Sequence, residues 1–239
     1  MDEVTSSALF ATCVFIIGAG ASRFDKRVTI ALAAACALCL GLDDLITGLP
    51  NMLPSLDVAG GNWNWTGKLF SLLLSCLIIV SLKIPRAAVG LRLPRASQRL
   101  IWLALLGFVV WGSALGLLFK PGVPNAETLL FQASMPGLAE ELVYRGIAPA
   151  ILLGLRRREP SPHECPWTVV VATSVMFGAW HALSFAHGSI QVDPLSGLFP
   201  MIGSVVGGWL RFRTDSLLLP VLGHSIANVA FHIAGGVGA

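Results

Sequence analysis

Apolar residues gather into eight stretches, residues 4–21, 28–49, 65–82, 100–119, 128–155, 167–185, 194–210 and 217–234, divided by short polar segments. Each approaches the roughly 20 residues that a helix needs to cross the hydrocarbon core of a bilayer. The pattern predicts an all-α polytopic transmembrane helix bundle of about eight spans, with residues 1–239 as a single domain. The fifth stretch is too long for a straight span. Pro136-Gly137 inside it predicts a break or kink just before Glu140.

The polar segments supply an orientation. Arg23, Lys26, Arg27, Lys83, Arg86, Arg92, Arg95, Arg99, Arg156, Arg157, Arg158, Arg211 and Arg213 all fall in the odd-numbered loops, which is 13 of the 16 basic residues. Lys68 and Lys120 fall in or beside the opposite loops, and Arg145 lies within a span. Basic residues concentrate on the cytoplasmic side, so both termini are expected outside the cytoplasm. The acidic start Met1-Asp2-Glu3 lacks the basic region of a signal peptide, and the first stretch reads as a retained helix. Leu91 to Arg99 is expected as a short amphipathic helix on anionic lipid or as a solvated loop. Trp63, Trp65 and Trp167 fit interfacial anchoring.

Composition agrees with the membrane reading. The chain is 55% hydrophobic and 12% charged, against roughly 25% charged in soluble domains. A net charge of +3 is too small to suggest nucleic acid as a partner. Of the five cysteines, Cys13, Cys36, Cys39 and Cys76 lie in apolar stretches as small hydrophobes. Cys36-x-x-Cys39 has no second half with metal-ligand spacing.

What composition does not explain is the charge inside the spans. Glu140, Glu141 and Arg145 lie together in the fifth, and an ionisable group at the bilayer centre costs ~2.5 kcal/mol or more. His181 lies in the sixth span, and His224, Asn228 and His232 in the eighth. Adjacent helix positions diverge by about 100°, so Glu140 and Glu141 have different tasks. Glu141 and Arg145, at i and i+4, share a face and can pair. That leaves Glu140 without a partner, and a desolvated, unpaired carboxylate is a better general base than one in water. His224 and Asn228 offer hydrogen-bond donors from successive turns, able to stabilise an oxyanion. A rise of about 1.5 Å per residue sets Glu140, His224 and Asn228 near the bilayer middle and His181 somewhat outward. His232 reads as structural, His163 and His187 as loop residues, and Asp43 and Asp44 as an outer interface. The whole set points to hydrolysis of a bond in or beside a membrane-embedded substrate.

Glu140-Glu141-Leu-Val-Tyr-Arg145-Gly146 resembles the EExxxR motif of the CPBP intramembrane proteases, relatives of the type II CAAX prenyl endopeptidases also called the Abi family. Phe177-x-x-x-His181 is similar to their second motif and His224-x-x-x-Asn228 to their third, in the same order. Tyr144 stands where Phe is frequent, and the first four helices carry no signature. The resemblance implies a glutamic-type endopeptidase acting through activated water, without an acyl-enzyme. It casts Glu140 and His181 as the activating pair, Glu141 and Arg145 as orienting and balancing groups, and His224 with Asn228 as the oxyanion hole. The implied partners are the lipid bilayer and a protein or peptide substrate cleaved near a membrane-associated or C-terminal anchor segment. The expected location is a bacterial inner membrane. No cofactor is implied, although His181, His224 and a glutamate could geometrically hold zinc; no HExxH is present. The rival readings are a proton-coupled transporter and a non-catalytic bacteriocin-immunity-type membrane protein.

Overall fold

The computed structural model describes residues 2–154 and 165–237. The helices are α1 (Asp2–Ala21), α2 (Ile30–Thr47), α3 (Leu49–Met52), α4 (Trp65–Ser81), α5 (Arg86–Val89), α6 (Gln98–Phe119), α7 (Ala126–Glu141), α8 (Ala148–Leu152), α9 (Trp167–Ala182), α10 (Pro194–Thr214) and α11 (Leu218–Gly235). A wide π-helical turn, Leu142–Ile147, joins α7 to α8. Every apolar stretch read from the sequence is therefore helical over most of its length. Helices α1, α2, α6, α10 and α11 are long and apolar enough to cross a membrane, and α4 and α9 are shorter apolar helices. The molecule is an all-α membrane helix bundle.

Local chemistry explains where these helices start. Thr29, Asn64, Ser97, Asn125 and Asp193 stand just before α2, α4, α6, α7 and α10, and each side chain accepts a backbone N–H of the first turn. Those N–H groups have no partner inside the helix. The distribution of side chains is that of a protein dissolved in lipid. Leu38, Leu73, Leu77, Leu106 and Val110 are more than half exposed, whereas Lys68, Glu140, Glu141, Arg145 and Arg211 are buried. The apolar core lies where α8, the π turn and α9 pack among α1, α2 and α5, and includes Phe10, Val14, Cys36, Leu40, Val89, Ile147, Leu152 and Met176.

Four expectations need correction. First, α7 runs through Pro136 as regular α-helix, and the irregular turn follows the acidic pair instead of preceding it. Pro136 removes only one intrahelical hydrogen bond; the wider turn begins past Glu141, where Pro149 offers no N–H to the Arg145 carbonyl. Second, the sixth span stops at Ala182. The chain then forms a hairpin, β1 (Leu183–Ala186) against β2 (Ser189–Val192). His187 and Gly188 at its tip have φ of 53° and 75°, the left-handed values of a two-residue hairpin turn. Third, Arg211 and Arg213 lie inside α10, not in a loop. Arg211 is buried and donates from Nη2 to the carbonyls of Ala87 (3.2 Å) and Ala88 (2.8 Å), closing the C-terminal end of α5. Gly90, at φ +83°, lies so close to that guanidinium that a Cβ there would strike it. Fourth, residues 91–97 form neither a surface helix nor a free loop. Arg92 pairs with Asp215 at 2.9 Å, the Arg95 N–H bonds the Thr214 carbonyl, and Ser216 Oγ donates to the Arg92 carbonyl. Arg99 belongs to α6. Arg156, Arg157, Arg158 and His163 lie outside the described residues.

The tightest helix pair, α6 with α11, brackets the site from one side. A Cβ on Gly112 would overlap the Ala227 carbonyl, and one on Gly116 the Phe231 carbonyl. Gly112→Val is expected to force the two helices apart and to destabilise the protein by ~1–3 kcal/mol, the usual range for overpacking. Thermal unfolding of the protein in lipid nanodiscs would show it as a lowered midpoint, and an unchanged midpoint would contradict this packing.

Candidate active site

The four spans from α7 to α11 deliver their polar groups, together with Lys68 of α4, to one cavity of about 530 Å³. Glu140, Glu141, Arg145, His181, His224 and Asn228 all line it. Glu141 and Arg145 meet as an i, i+4 pair, Oε2 to Nε 3.1 Å, with both side chains almost completely buried. The contact is electrostatic, since neither atom makes a hydrogen bond. The Arg145 guanidinium also lies 4.3 Å over the Phe177 ring. The other carboxylate oxygen of Glu141 accepts from His224 Nδ1 at 2.8 Å. One carboxylate thus ties α11 to the π turn.

Glu140 is not the unpaired acid expected from the sequence. Lys68 Nζ donates to its Oε1 at 2.7 Å, and both side chains are about nine-tenths buried. The correction has two parts. Lys68 is one turn inside α4, and its flexible stem reaches the acid across the bundle. Glu140 Oε2 is left facing His224 Nε2 at 3.8 Å.

The two histidines differ in what they can offer. His181 Nδ1 lies 2.9 Å from the Phe177 carbonyl. A carbonyl only accepts, so Nδ1 carries the proton and the neutral ring presents a lone pair at Nε2. His224 donates from Nδ1 to a carboxylate, so its Nε2 donates to a substrate oxygen only when the ring carries both protons. Asn228 Nδ2 donates to Gln132 Oε1 at 2.8 Å, leaving a second amide proton for a ligand.

Several groups here escaped the sequence reading. Gln132 precedes Glu140 by eight residues on the same face of α7, a polar position in an apolar span that was legible. Lys68 sits on a polar stripe of α4, Asn64-Lys68-Ser71-Ser75, at helical spacing, and all but Asn64 are buried. Asp43 and Asp44, near the C-terminal end of α2, are hydrogen-bonded to neighbouring helices. Ser71 donates to Asp43 (2.7 Å), while Ser7 and Trp180 Nε1 both donate to Asp44 at 2.6 Å. Trp180, so held, puts its ring 4.7 Å under the Lys68 ammonium. Trp63 stacks on Phe131 at 5.1 Å, donates to Thr128, and lines the cavity as well. His232 packs edge-on against the same Trp63 ring at 6.0 Å.

The donor set does not fit a metal ion. Among the described residues no three His, Cys, Asp or Glu side chains gather closely enough to hold one.

Residues 123–230 match the model of a protein family described as type II CAAX prenyl endopeptidase Rce1-like. Over that segment the chain is similar to the CPBP and CAAX protease-like family. The match covers slightly less than half of the chain and includes α7 to α10 and most of α11, hence every motif residue of the cavity. Lys68, Trp63 and Asp44 lie outside it. No curated protein and no solved structure matches the chain. The family match supports CAAX-type endopeptidase activity by an integral membrane protein, with the bilayer and a protein or peptide as its partners.

Proposed function

We propose that this protein is a glutamic-type intramembrane endopeptidase that hydrolyses a peptide bond near a membrane-associated or C-terminal anchor segment of its substrate. The observation that carries the reading is the convergence of Glu140, Glu141, Arg145, His181, His224 and Asn228, from three separate helices, on one cavity. Water bound between Glu140 Oε2 and His181 Nε2 loses a proton to Glu140 and attacks the scissile carbonyl carbon. The oxyanion of the tetrahedral adduct accepts hydrogen bonds from Asn228 Nδ2 and doubly protonated His224. Collapse breaks the C–N bond, and the proton held on Glu140 passes to the departing amine. Glu141 fixes the His224 ring, and Arg145 balances Glu141. No acyl-enzyme forms, and no metal-dependent step is needed.

In this reading both termini lie outside the cytoplasm of a bacterial plasma membrane. The natural substrate is then a C-terminal sorting anchor, a secreted peptide, or a peptide against which the cell protects itself. The test is mass spectrometry of candidate anchor tails incubated with the nanodisc protein. The parent is expected to produce a new C-terminus, and His181→Ala to reduce the rate by ~10²-fold or more with the same thermal midpoint. Cleavage at the parent rate by His181→Ala would refute the assignment.

A further inference from the structure

One indole touches the supports of both groups that hold the water. The Trp180 ring lies 4.7 Å from the Lys68 ammonium, and that ammonium donates to Glu140 Oε1 at 2.7 Å. The same ring packs at a right angle to the His181 imidazole, with centroids 4.8 Å apart and planes at 87°. Phe177 packs edge-on against His181 as well, at 4.5 Å, and its carbonyl takes Nδ1 at 2.9 Å. The direction of the Nε2 lone pair is therefore set by one hydrogen bond and two aromatic rings. Trp180 is itself fixed by a carboxylate. An indole has a single polar handle, its N–H, and here it donates to Asp44 Oδ1 at 2.6 Å. The second oxygen of Asp44 accepts from Ser7 Oγ at 2.6 Å, so donors from α9 and α1 occupy both. Asp44 lies in α2, outside the matched segment 123–230, and is not one of the residues that line the cavity. It reaches the chemistry only through what it holds.

We propose that Asp44 is a positioning residue for the hydrolysis and acts through Trp180. The proposal rests on the hydrolytic reading above and gives the N-terminal helices a part in it. The carboxylate holds the indole in the one rotation that presents its electron-rich face to the Lys68 ammonium and its side to the His181 ring. Glu140 Oε2 and His181 Nε2, the two atoms that hold the water, then keep a fixed separation, because their supports rest on the same ring. With the N–H released, the indole turns about its side-chain bonds. The ammonium loses its seat on the ring face and the imidazole loses one of its two aromatic neighbours. The water is then held in line with the scissile carbonyl for a smaller fraction of the time.

The experiment compares Asp44→Ala, Asp44→Asn and Trp180→Phe with the parent, as the full chain in nanodiscs and below each melting midpoint. Steady-state cleavage of an anchor tail that the parent cuts gives kcat and KM. The nuclear magnetic resonance signals of isotope-labelled histidine rings, recorded without peptide, report the His181 imidazole directly and are assigned by their loss in His181→Ala. Asp44→Ala is expected to lower kcat ~10- to 10²-fold, the cost of a misplaced reacting group, with KM within about twofold. It shifts the His181 signals and leaves those of His232, which packs on Trp63, in place. Asp44→Asn, whose amide oxygen still accepts from the indole, restores most of kcat. Trp180→Phe keeps an aromatic ring and the carboxylate and removes the N–H, which guards against loss of the fold, and its kcat matches that of Asp44→Ala. The two substitutions combined lower kcat no further, because both cut one link. Additive losses in the combined variant overturn the route through Trp180. An unchanged kcat in Asp44→Ala overturns the proposal and leaves the hydrolytic reading standing. Unmoved His181 signals in Asp44→Ala overturn it too. Shifted signals in a protein whose parent cleaves no tail uphold the hold of Asp44 on the His181 ring and remove the hydrolytic reading.

Discussion

Glu140→Gln is expected to abolish cleavage, with a fall of at least ~10³-fold, within the range that a positioned general base supplies, while the protein remains folded. The amide oxygen of Gln still accepts the Lys68 hydrogen bond now made at 2.7 Å, so the buried ammonium keeps a partner and loses only its counter-charge. Glu140→Ala removes both. A buried cation left without its partner destabilises a protein by ~3–5 kcal/mol, so Glu140→Ala should be inactive and also melt much lower. Adding Lys68→Met to it replaces the stranded charge with an apolar chain of similar length. That double variant should recover most of the lost stability, because buried ion pairs exchange for packed apolar groups at little net cost. It should recover no activity. Thermal unfolding by tryptophan fluorescence and mass spectrometry of the tail peptides read the two properties separately. Parent-like cleavage by Glu140→Gln would remove the carboxylate from the chemistry. A double variant no more stable than Glu140→Ala would show that the Lys68 pair is not what holds this wall together.

Sequence periodicity was sufficient for the architecture because each span must satisfy its own backbone hydrogen bonds in lipid. Eight apolar stretches therefore map onto eight helical runs whatever their neighbours are. It was sufficient also for contacts within one helix, such as Glu141 with Arg145, since i, i+4 geometry is fixed by the helix itself. It failed where a partner comes from a distant part of the chain. Lys68 and Glu140 are 72 positions apart, and no local pattern joins them. Counting basic residues by loop set Lys68 in or beside an outer loop, and such a count says nothing of what a side chain one turn inside a span can reach. Arg211 failed for the same reason at the other end of α10, where the buried guanidinium serves the α5 carbonyls. The hairpin after His181 was missed because Leu183 and Phe185 extend the apolar character of the sixth span without its helical period. The polar stripe on α4 and Gln132 on α7 were legible, and both belong to the cavity.

Arg145→Met should be among the most destabilising single substitutions in the chain. Glu141 is 2% exposed, and among the described residues Arg145 is the one fixed cation paired with it. Removing the guanidinium leaves a buried carboxylate with a single hydrogen-bond donor, His224 Nδ1. The expected loss is ~3–5 kcal/mol, together with the packing of the guanidinium over Phe177. Arg145→Lys restores the charge without the planar group that stacks on Phe177, and should recover only part of it. Glu141→Gln combined with Arg145→Met removes both charges and should regain most of the stability. Its activity is the informative quantity. Glu140, Lys68 and His181 are untouched, so the water and its base remain. What is lost is the carboxylate that orients the His224 ring, and a misplacement of about 1 Å at a reacting group can lower the rate ~10²-fold. The double variant is thus expected to fold and to cleave the tail peptides ~10²-fold more slowly than the parent. If it cleaved at the parent rate, Glu141 and Arg145 would be a packing pair alone. If Arg145→Met melted with the parent, the charge of Glu141 would have a counterpart other than Arg145.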